Sequence, residues 1–306
     1  MTALDTIVFR GSGTAIGRFA CPVHHPAFRD SGPIAEAIVV FPRTSVWIRH
    51  AGSAPFVADP SVVTMYNRGQ VYERGALSPE GDRCDWFAMT DDLAREIVGA
   101  FDPAARDANC RPFRLERAQS SPSLYLQQRQ LTRRAARGTA DALEIEEEVT
   151  DVVTQVLAQA FARPPEPPEG RQAAGRRVAE QRRRDLVERT KAELLRSISQ
   201  NRSASEIANA VGSSVFHLCR VFRARTGQTM HGYRTQLRIR LLLERIGDAG
   251  SGKTLSELAQ DLGFASHAHL VHACRRVLGA PPGAIRDQLR GAQQARSRIG
   301  AASSLL

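Results

Sequence analysis

The chain has 306 residues, a formal net charge of +10 and five cysteines. It contains no run of about 18 apolar residues, which excludes a membrane-spanning helix, and its start lacks the basic and apolar pattern of a secretion signal. An odd number of cysteines without paired spacing argues against a disulfide framework. We therefore expect a cytoplasmic protein of two domains that makes no contact with a membrane.

The first 90 residues carry short runs of β-branched and aromatic residues. These runs alternate with clusters of Pro, Gly, Ser and Asp, a spacing typical of an antiparallel β-sandwich or barrel. The predicted strands are Ala37–Phe41, Ser45–Arg49, Ser61–Tyr66 and Cys84–Met89. We assign residues 1–90 to a β-rich domain.

Residues 91–162 show helical periodicity instead. The candidate helices are Asp91–Val98, Leu124–Ala136 and Leu143–Phe161. The third candidate has a broad apolar stripe, and a cluster of glutamates near its start complements the helix dipole. Such a stripe is suited to covering the β-rich domain.

Prolines mark a boundary after residue 162. Residues 163–170 read Arg-Pro-Pro-Glu-Pro-Pro-Glu-Gly, and proline blocks helix and sheet while keeping the chain extended. The charge balance changes at the same place, with 24 Lys and Arg against 10 Asp and Glu from residue 171 onwards, and 18 against 22 before it. We place a Pro-rich linker at 163–170, a basic domain at 171–290 that faces a polyanion, and a flexible tail at 291–306. Residues 171–196 supply the first helix of the basic domain.

The basic domain contains a duplicated unit. The pattern Glu-aliphatic-Ala-x3-Gly occurs at Glu206–Gly212 and again at Glu257–Gly263. In each copy, a short amphipathic helix leads through this Gly into a second helix, Ser214–Arg225 or Ser266–Leu278, because Gly adopts the turn conformation that other residues resist. A single copy of this pattern would also fit an ordinary pair of helices joined by a turn. Two copies in a basic domain favour a helix-turn-helix protein, whose second helix enters the major groove of DNA.

Both copies resemble the double helix-turn-helix domain of AraC-type transcription regulators. The resemblance rests on Ala208–Phe222, Gly227 and Tyr233 in the first copy and on Leu255–Phe264, Gly279 and Pro282 in the second. It implies two helix-turn-helix subdomains joined by a long helix, Tyr233–Ile246. The sequence departs from the family pattern at Cys274, at Ile285 and in the second recognition helix, where Ala268 stands among histidines.

The N-terminal region is similar to the cupin-like sensor region of the same family. This similarity implies an α+β multidomain protein, with an N-terminal cupin-like β-barrel or sandwich, a helical extension and an all-α C-terminal domain. It also implies that Leu143–Phe161 is a dimerisation helix, a role that we weigh equally with covering the barrel. The barrel mouth is suited to a small organic effector. The aromatic residues considered for it, each of which fits ordinary core packing equally well, are Trp47, Tyr66, Tyr72, Trp86 and Phe87.

Two alternative functions concern the N-terminal domain. A cupin-like enzyme fused to a DNA-binding domain needs paired histidines followed by a carboxylate, and this motif is missing, so we predict no enzyme, no catalytic residue and no cofactor. A metal- or thiol-redox-responsive regulator would use Cys21 with His24 or His25, together with Cys84, because thiolate and imidazole suit zinc or copper. Buried structural cysteines and surface histidines are the commoner explanation, and we predict no metal site.

The two recognition helices supply the candidate DNA contacts. Arg220 is the strongest, since a guanidinium matches the O6 and N7 acceptors of guanine, whereas Phe216 either touches a thymine methyl group or packs in the core. The histidines of the second helix favour DNA contact over a metal site, because the helix turns His267 about 200° away from His269. The predicted contacts are Ser214, Phe216, His217, Cys219, Arg220 and Arg223 in the first motif, and Ser266, His267, His269, His272, Arg275 and Arg276 in the second.

These observations predict a sequence-specific transcription regulator. Its two recognition helices are expected to read two successive major-groove segments of double-stranded DNA. A small-molecule effector or the state of a homodimer is expected to act through the N-terminal domain, and RNA polymerase is a further expected partner.

Overall fold

The computed structural model describes residues 4–138, 140–162, 174–247 and 252–291. The chain folds into an N-terminal β domain with a helical extension, followed by an all-α C-terminal domain. The strands are β1 (Asp5–Arg10), β2 (Thr14–Cys21), β3 (Ala37–Pro42), β4 (Val46–His50), β5 (Phe56–Ala58), β6 (Val62–Tyr66), β7 (Tyr72–Ala76), β8 (Asp82–Met89) and β9 (Arg117–Gln119). The helices are α1 (Asp91–Gly99), α2 (Pro122–Arg137), α3 (Ala142–Phe161), α4 (Ala174–Arg196), α5 (Ala204–Ala210), α6 (Val215–Thr226), α7 (Met230–Gly247), α8 (Leu255–Asp261), α9 (His267–Leu278) and α10 (Pro282–Gly291).

The β domain consists of two antiparallel sheets. The larger has the strand order β1-β2-β8-β3-β6-β9, and the smaller has the order β5-β4-β7. Side chains alternate across each strand. On β8, Cys84 and Trp86 face the space between the sheets, whereas Asp85 contacts helix α2 and Phe87 joins the core beneath the helices.

Helices α1, α2 and α3 cover the outer face of the larger sheet. The apolar stripe of α3 is buried in the core beneath them, through Val149, Val152, Val153 and Val156. The structure therefore gives this stripe the covering role. Leu143, at the start of the predicted helix, is exposed.

Several strands of the β domain are absent from the sequence prediction. The strands β1, β2, β5 and β7 contain glycine or charged residues, or are too short to show a clear alternation. Strand β9 lies in the stretch predicted to be helical, and it pairs with β6 through Val63 and Ala118. Three residues are too few for a periodic signal, so only the tertiary pairing defines this strand.

The C-terminal domain contains two helical pairs joined by one long helix. The first pair is α5 and α6, the second is α8 and α9, and α7 runs between them. Helix α4 precedes the first pair and α10 follows the second. The proposed linker at 163–170 and nearly all of the tail at 291–306 lie outside the described residues. Within the described ranges, no helix is long and apolar enough to cross a bilayer.

Candidate nucleic-acid interface

The first helix of each pair begins with the same hydrogen-bonded cap. Ser203 and Glu206 at α5, and Thr254 and Glu257 at α8, bond reciprocally to each other's backbone and form two capping boxes. The backbone and side chain of Ser203 donate to Glu206, and those of Thr254 donate to Glu257, which lowers the pKa of both carboxyl groups. The glutamate of the repeated sequence pattern is therefore a structural residue that fixes where each motif starts.

Glycines shape both turns. Gly212 and Gly263 have φ values of +66° and +75°, in the left-handed region that favours glycine. A Cβ atom at Gly212 would meet open space. At Gly263 it would lie 2.4 Å from the backbone oxygen of Ser199 and 2.6 Å from Arg238 Nη2, so the second turn is also closely packed.

The second helix of each pair has one buried and one exposed face. On α6 the buried side chains are Leu218, Val221 and Phe222, and the Phe222 ring packs edge-on against Tyr233 of α7 at 5.5 Å. The buried side chains of α9 are Leu270, Ala273 and Cys274. Burial raises the pKa of the Cys274 thiol to about 12, so this residue is a small, protonated core group.

Most of the predicted DNA contacts lie on the exposed faces. Phe216 is 77% exposed, which excludes the alternative that it packs in the core. The Arg220 guanidinium lies 5.9 Å from the centre of its ring. The other exposed candidates are Ser214, Cys219 and Arg223 on the first motif, and Ser266, His267, His272, Arg275 and Arg276 on the second.

The candidates His217 and His269 are half-buried. His269 was expected to be exposed, but its Nδ1 accepts a hydrogen bond of 3.3 Å from the backbone N–H of Ala265 and its ring packs edge-on against Phe264 at 5.5 Å. The structure therefore gives His269 a role in holding the turn before α9.

Arg238, which the sequence analysis did not single out, ties the two motifs together. It is 4% exposed on α7 and donates hydrogen bonds to the backbone oxygens of Ile198, before the first motif, and Gly263, in the turn of the second, at 2.8 and 2.7 Å. Burial and the neighbouring Arg234 lower its pKa to about 10, so it remains charged at neutral pH. An arginine in an amphipathic helix looks like a solvated residue, and only its partners reveal this role.

A buried ionic cluster joins the two domains. Glu244 of α7 lies 2.6 Å from Arg43 Nε and 2.7 Å from Arg129 Nε of α2, and it accepts a hydrogen bond of 2.8 Å from the Tyr125 hydroxyl. Asp85 of β8 binds Arg129 from the other side. Burial by itself raises the pKa of Asp85, but the charges of Arg129 and Arg43 and the hydrogen bonds from Gln128 and Arg129 outweigh it, so the pKa lies below its usual value.

Further polar contacts hold α7 and α4 to the β domain. The Tyr233 hydroxyl donates to Asp59, and Arg240, which is fully buried, donates to the backbone oxygen of Ser120. On α4, Glu188 accepts from the backbone N–H of Val57 at 2.9 Å. The β domain therefore contacts the helix that carries both motifs.

A cavity of about 370 Å³ lies between the two sheets. Tyr66, Tyr72 and Trp86 line it, together with Phe19, which the sequence analysis missed. The remaining two predicted lining residues lie elsewhere: Trp47 faces a cleft beside α4 and α6, and Phe87 belongs to the core on the opposite face of its strand.

The residues considered for a metal or redox site have different structural roles. Cys21 and Cys84 are buried, and burial raises the pKa of both thiols. His25 accepts a hydrogen bond from the backbone N–H of Ala27 and caps a short turn. In the described part of the chain, no three His, Cys, Asp or Glu side chains are placed to hold a metal ion.

Two capped helix-turn-helix units in a basic all-α domain define a DNA-binding transcription regulator. Residues 207–288 match the family model of a helix-turn-helix domain, the kind of domain that the resemblance to AraC-type regulators implies.

Several solved structures are similar to the chain. A single-residue variant of apo ToxT from Vibrio cholerae strain SCE256 is 9% identical with a TM-score of 0.38, and the match covers 91% of this chain and 98% of that one. The DNA-binding domain of AdpA in complex with a target DNA is 25% identical with a TM-score of 0.33, over 36% and 96% of the two chains. An AraC-type regulator from Chromobacterium violaceum is 21% identical with a TM-score of 0.33, over 37% and 96%. No curated protein matches the chain.

Proposed function

We propose that the protein regulates transcription by reading two successive major-groove segments of double-stranded DNA with α6 and α9. The observation that carries this proposal is that both helices have an exposed face with basic residues while one helix, α7, connects their motifs. Arg238 adds a fixed link between the motifs because it bonds the backbone on both sides. Two readers held in this way fit two blocks of sequence about one helical turn, or ~34 Å, apart.

We assign the proposed contacts by position on each helix. Arg220 is assigned to a base edge, because its guanidinium projects from the exposed face of α6. Arg275 and Arg276, in the last turn of α9, are assigned to phosphates, which position a domain without selecting sequence. His267 and His272 are assigned to the groove.

Genome-wide capture of bound DNA, followed by a binding titration on the best recovered site, tests the double reading. We expect a shared motif with two blocks about 10 base pairs apart. Replacement of either block should weaken binding. Recovery of one block alone, with no loss of affinity when the second position is changed, would exclude α9 as a reader.

We further propose that the β domain controls DNA binding through its contact with α7. Support comes from the ionic cluster around Glu244, since a change in the position of Arg43 acts directly on α7 and a change in the position of Asp85 acts on it through Arg43 and Arg129. An effector in the cavity of the β domain, or the state of a homodimer, would supply that change.

The variant Glu244→Gln tests this control. The loss of one carboxylate leaves Arg43 and Arg129 beside a neutral group in a buried site, which weakens the interdomain contact. We expect the spacing that the protein prefers between the two sequence blocks to become less strict, while the variant Glu147→Gln on the exposed face of α3 keeps it unchanged. An unchanged preference in Glu244→Gln would contradict control through α7.

We also propose that the protein contacts RNA polymerase, that it is located in the cytoplasm and that it has no enzymatic activity. Dimerisation is proposed through the surface of the β domain or of α3 that the covering contacts leave free. Light scattering on the full chain, with and without operator DNA, measures the oligomeric state.

A further inference from the structure

The cavity between the sheets combines an aromatic wall with carboxylate groups. Tyr66, Tyr72 and Trp86 form part of its lining, and Asp5 stands beside them, accepting a hydrogen bond of 2.8 Å from Trp86 Nε1. Asp30, Glu36 and Asp82 also line it. At about 370 Å³ the cavity has the size of a site for a small organic molecule.

Arg74 is the one basic residue in the described lining of this cavity. Its guanidinium is already engaged: Nε donates to the backbone oxygen of Phe28, Nη2 to that of Ala27 and Nη1 to Asp82, at 2.8, 2.8 and 3.1 Å. The group also lies over the rings of Phe19 and Tyr72, at 4.8 and 5.5 Å. Three of the five N–H groups of Arg74 are therefore engaged within the wall, and Asp82 already balances its charge.

The remaining charges favour a cation. Asp82 is matched by Arg74, and Glu36 lies 3.8 Å from the exposed Arg10. Asp5 has no cationic partner among the described ion pairs and is held against Trp86. Burial raises the pKa of Asp5 despite the hydrogen bond from Trp86 and the charge of Arg74, so a nearer positive charge would stabilise the ionised carboxylate. An ammonium group beside Asp5 would supply that charge and would also face the aromatic rings.

We propose that this cavity binds a small organic cation, an amine with an aromatic or alkyl body, whose ammonium group pairs with Asp5 while its body packs against Tyr72 and Trp86. The inference rests on the proposed function, because it names the chemical class of the effector.

The cavity is placed to influence α7. Three residues that line it, Pro42, Ala58 and Cys84, directly precede Arg43, Asp59 and Asp85 in the chain. Those three following residues contact Glu244, Tyr233 and Arg129. A ligand that moves the wall also moves these contacts with α7 and α2, because each of the three residues is covalently bonded to a residue of the wall.

Tryptophan fluorescence measures the binding directly. The chain has two tryptophans, and Trp47 lies outside the cavity, so the full-length variant Trp47→Phe reports on Trp86 alone. Three probes of one shape are titrated: 2-phenylethylamine, 2-phenylethanol and 3-phenylpropanoate. We expect the amine to change the emission of Trp86 and to bind about tenfold more tightly than the carboxylate, with the alcohol between them.

A charge variant and a matched control identify the partner of the amine. In the Trp47→Phe background, Asp5→Asn should bring the affinities for the amine and the carboxylate together. Asp92→Asn, on the exposed start of α1, should leave the tenfold ratio unchanged. Circular dichroism checks that each variant folds.

Equal or tighter binding of the carboxylate, or no response to any of the three probes, would overturn the proposal. So would a tenfold ratio that survives Asp5→Asn. Binding of operator DNA by the same samples is measured separately, so that a protein that binds the amine but no DNA contradicts the proposed function alone. A protein that binds DNA but no amine contradicts the identity of the effector alone.

Discussion

At the scale of single residues, the exposed face of α6 presents its largest apolar side chain and an arginine side by side. Phe216 is 77% exposed, and Arg220 stands one turn further along the helix, 5.9 Å from its ring. An apolar side chain in the major groove can contact a thymine methyl group, and a guanidinium can pair with the acceptors of guanine. The pair therefore suits a groove in which the ring meets an apolar base edge while the guanidinium meets acceptors.

We predict that Arg220→Ala lowers specific DNA affinity much more than non-specific affinity. The loss of a bidentate base contact costs roughly 1–3 kcal/mol of discrimination, and one lost phosphate contact would weaken both kinds of binding alike. Titrations against operator and random DNA at one salt concentration measure the two effects. Arg68→Ala, an exposed arginine of the β domain, is the control. Equal losses on both DNAs would make Arg220 a phosphate contact.

The two turn glycines provide a second test at this scale. Gly212→Ala is expected to lower the free energy of unfolding by roughly 1–2 kcal/mol. An alanine is strained in the left-handed region, but its Cβ would meet open space here. Gly263→Ala should cost clearly more, because its Cβ would also press on the backbone of Ser199 and on Arg238. Urea unfolding of the two variants gives the comparison. Equal losses of unfolding free energy in the two variants would mean that the structure around Gly263 adjusts to the added Cβ without a further loss of stability.

At the scale of elements, the sequence predicts those features that repeat or have a strong period. Helix α3 begins and ends within one residue of its predicted bounds, and the paired glycines locate both helix-turn-helix motifs. Strand β9 and the burial of Arg238 and Arg240 escape prediction, because they depend on partners far away in the chain. The candidate DNA contacts follow from the helix faces, whereas the burial of His269 depends on the ring of Phe264.

The contact between β8 and α2 predicts a response to acid. The pKa of Asp85 is lowered in the folded protein, so its contribution to stability is present above the unfolded value of about 3.9 and is lost as pH falls through the lower folded value. Unfolding free energies between pH 5 and pH 2.5 should therefore fall more steeply for the natural chain than for Asp85→Asn. Carboxylates that do not contact Arg43 or Arg129 contribute alike in the two proteins and cancel in the difference. Parallel curves would show that the ionisation of Asp85 does not contribute to the pH dependence of the unfolding free energy.

At the scale of the whole molecule, the charge is divided between two halves of opposite sign. The 24 basic residues from position 171 onwards stand against 10 acidic ones, while the preceding part has 18 against 22. The basic half approaches the phosphates, and the acidic half limits non-specific attraction of the whole chain. Association with DNA is then governed by the C-terminal domain.

This division predicts a steep salt dependence that the C-terminal fragment retains. The logarithm of affinity should fall linearly with the logarithm of salt concentration, as bound phosphates release counterions. The fragment 171–306 should show the same slope as the full chain and should unfold at a lower temperature, because it lacks the contacts of Arg240 and Glu244 with the β domain. A flat dependence in the full chain would argue against a basic groove reader.

Tyr125 links the second helix-turn-helix motif to a helix that is synthesised much earlier. It belongs to α2, yet it is buried in the same apolar cluster as Leu243 of α7 and Leu270 of the second motif. As the chain leaves the ribosome, α2 and its sheet emerge before any part of α7 to α10. Helices α8 to α10 are therefore synthesised after this surface, and the second helix-turn-helix motif completes its core on a side chain made more than a hundred residues earlier.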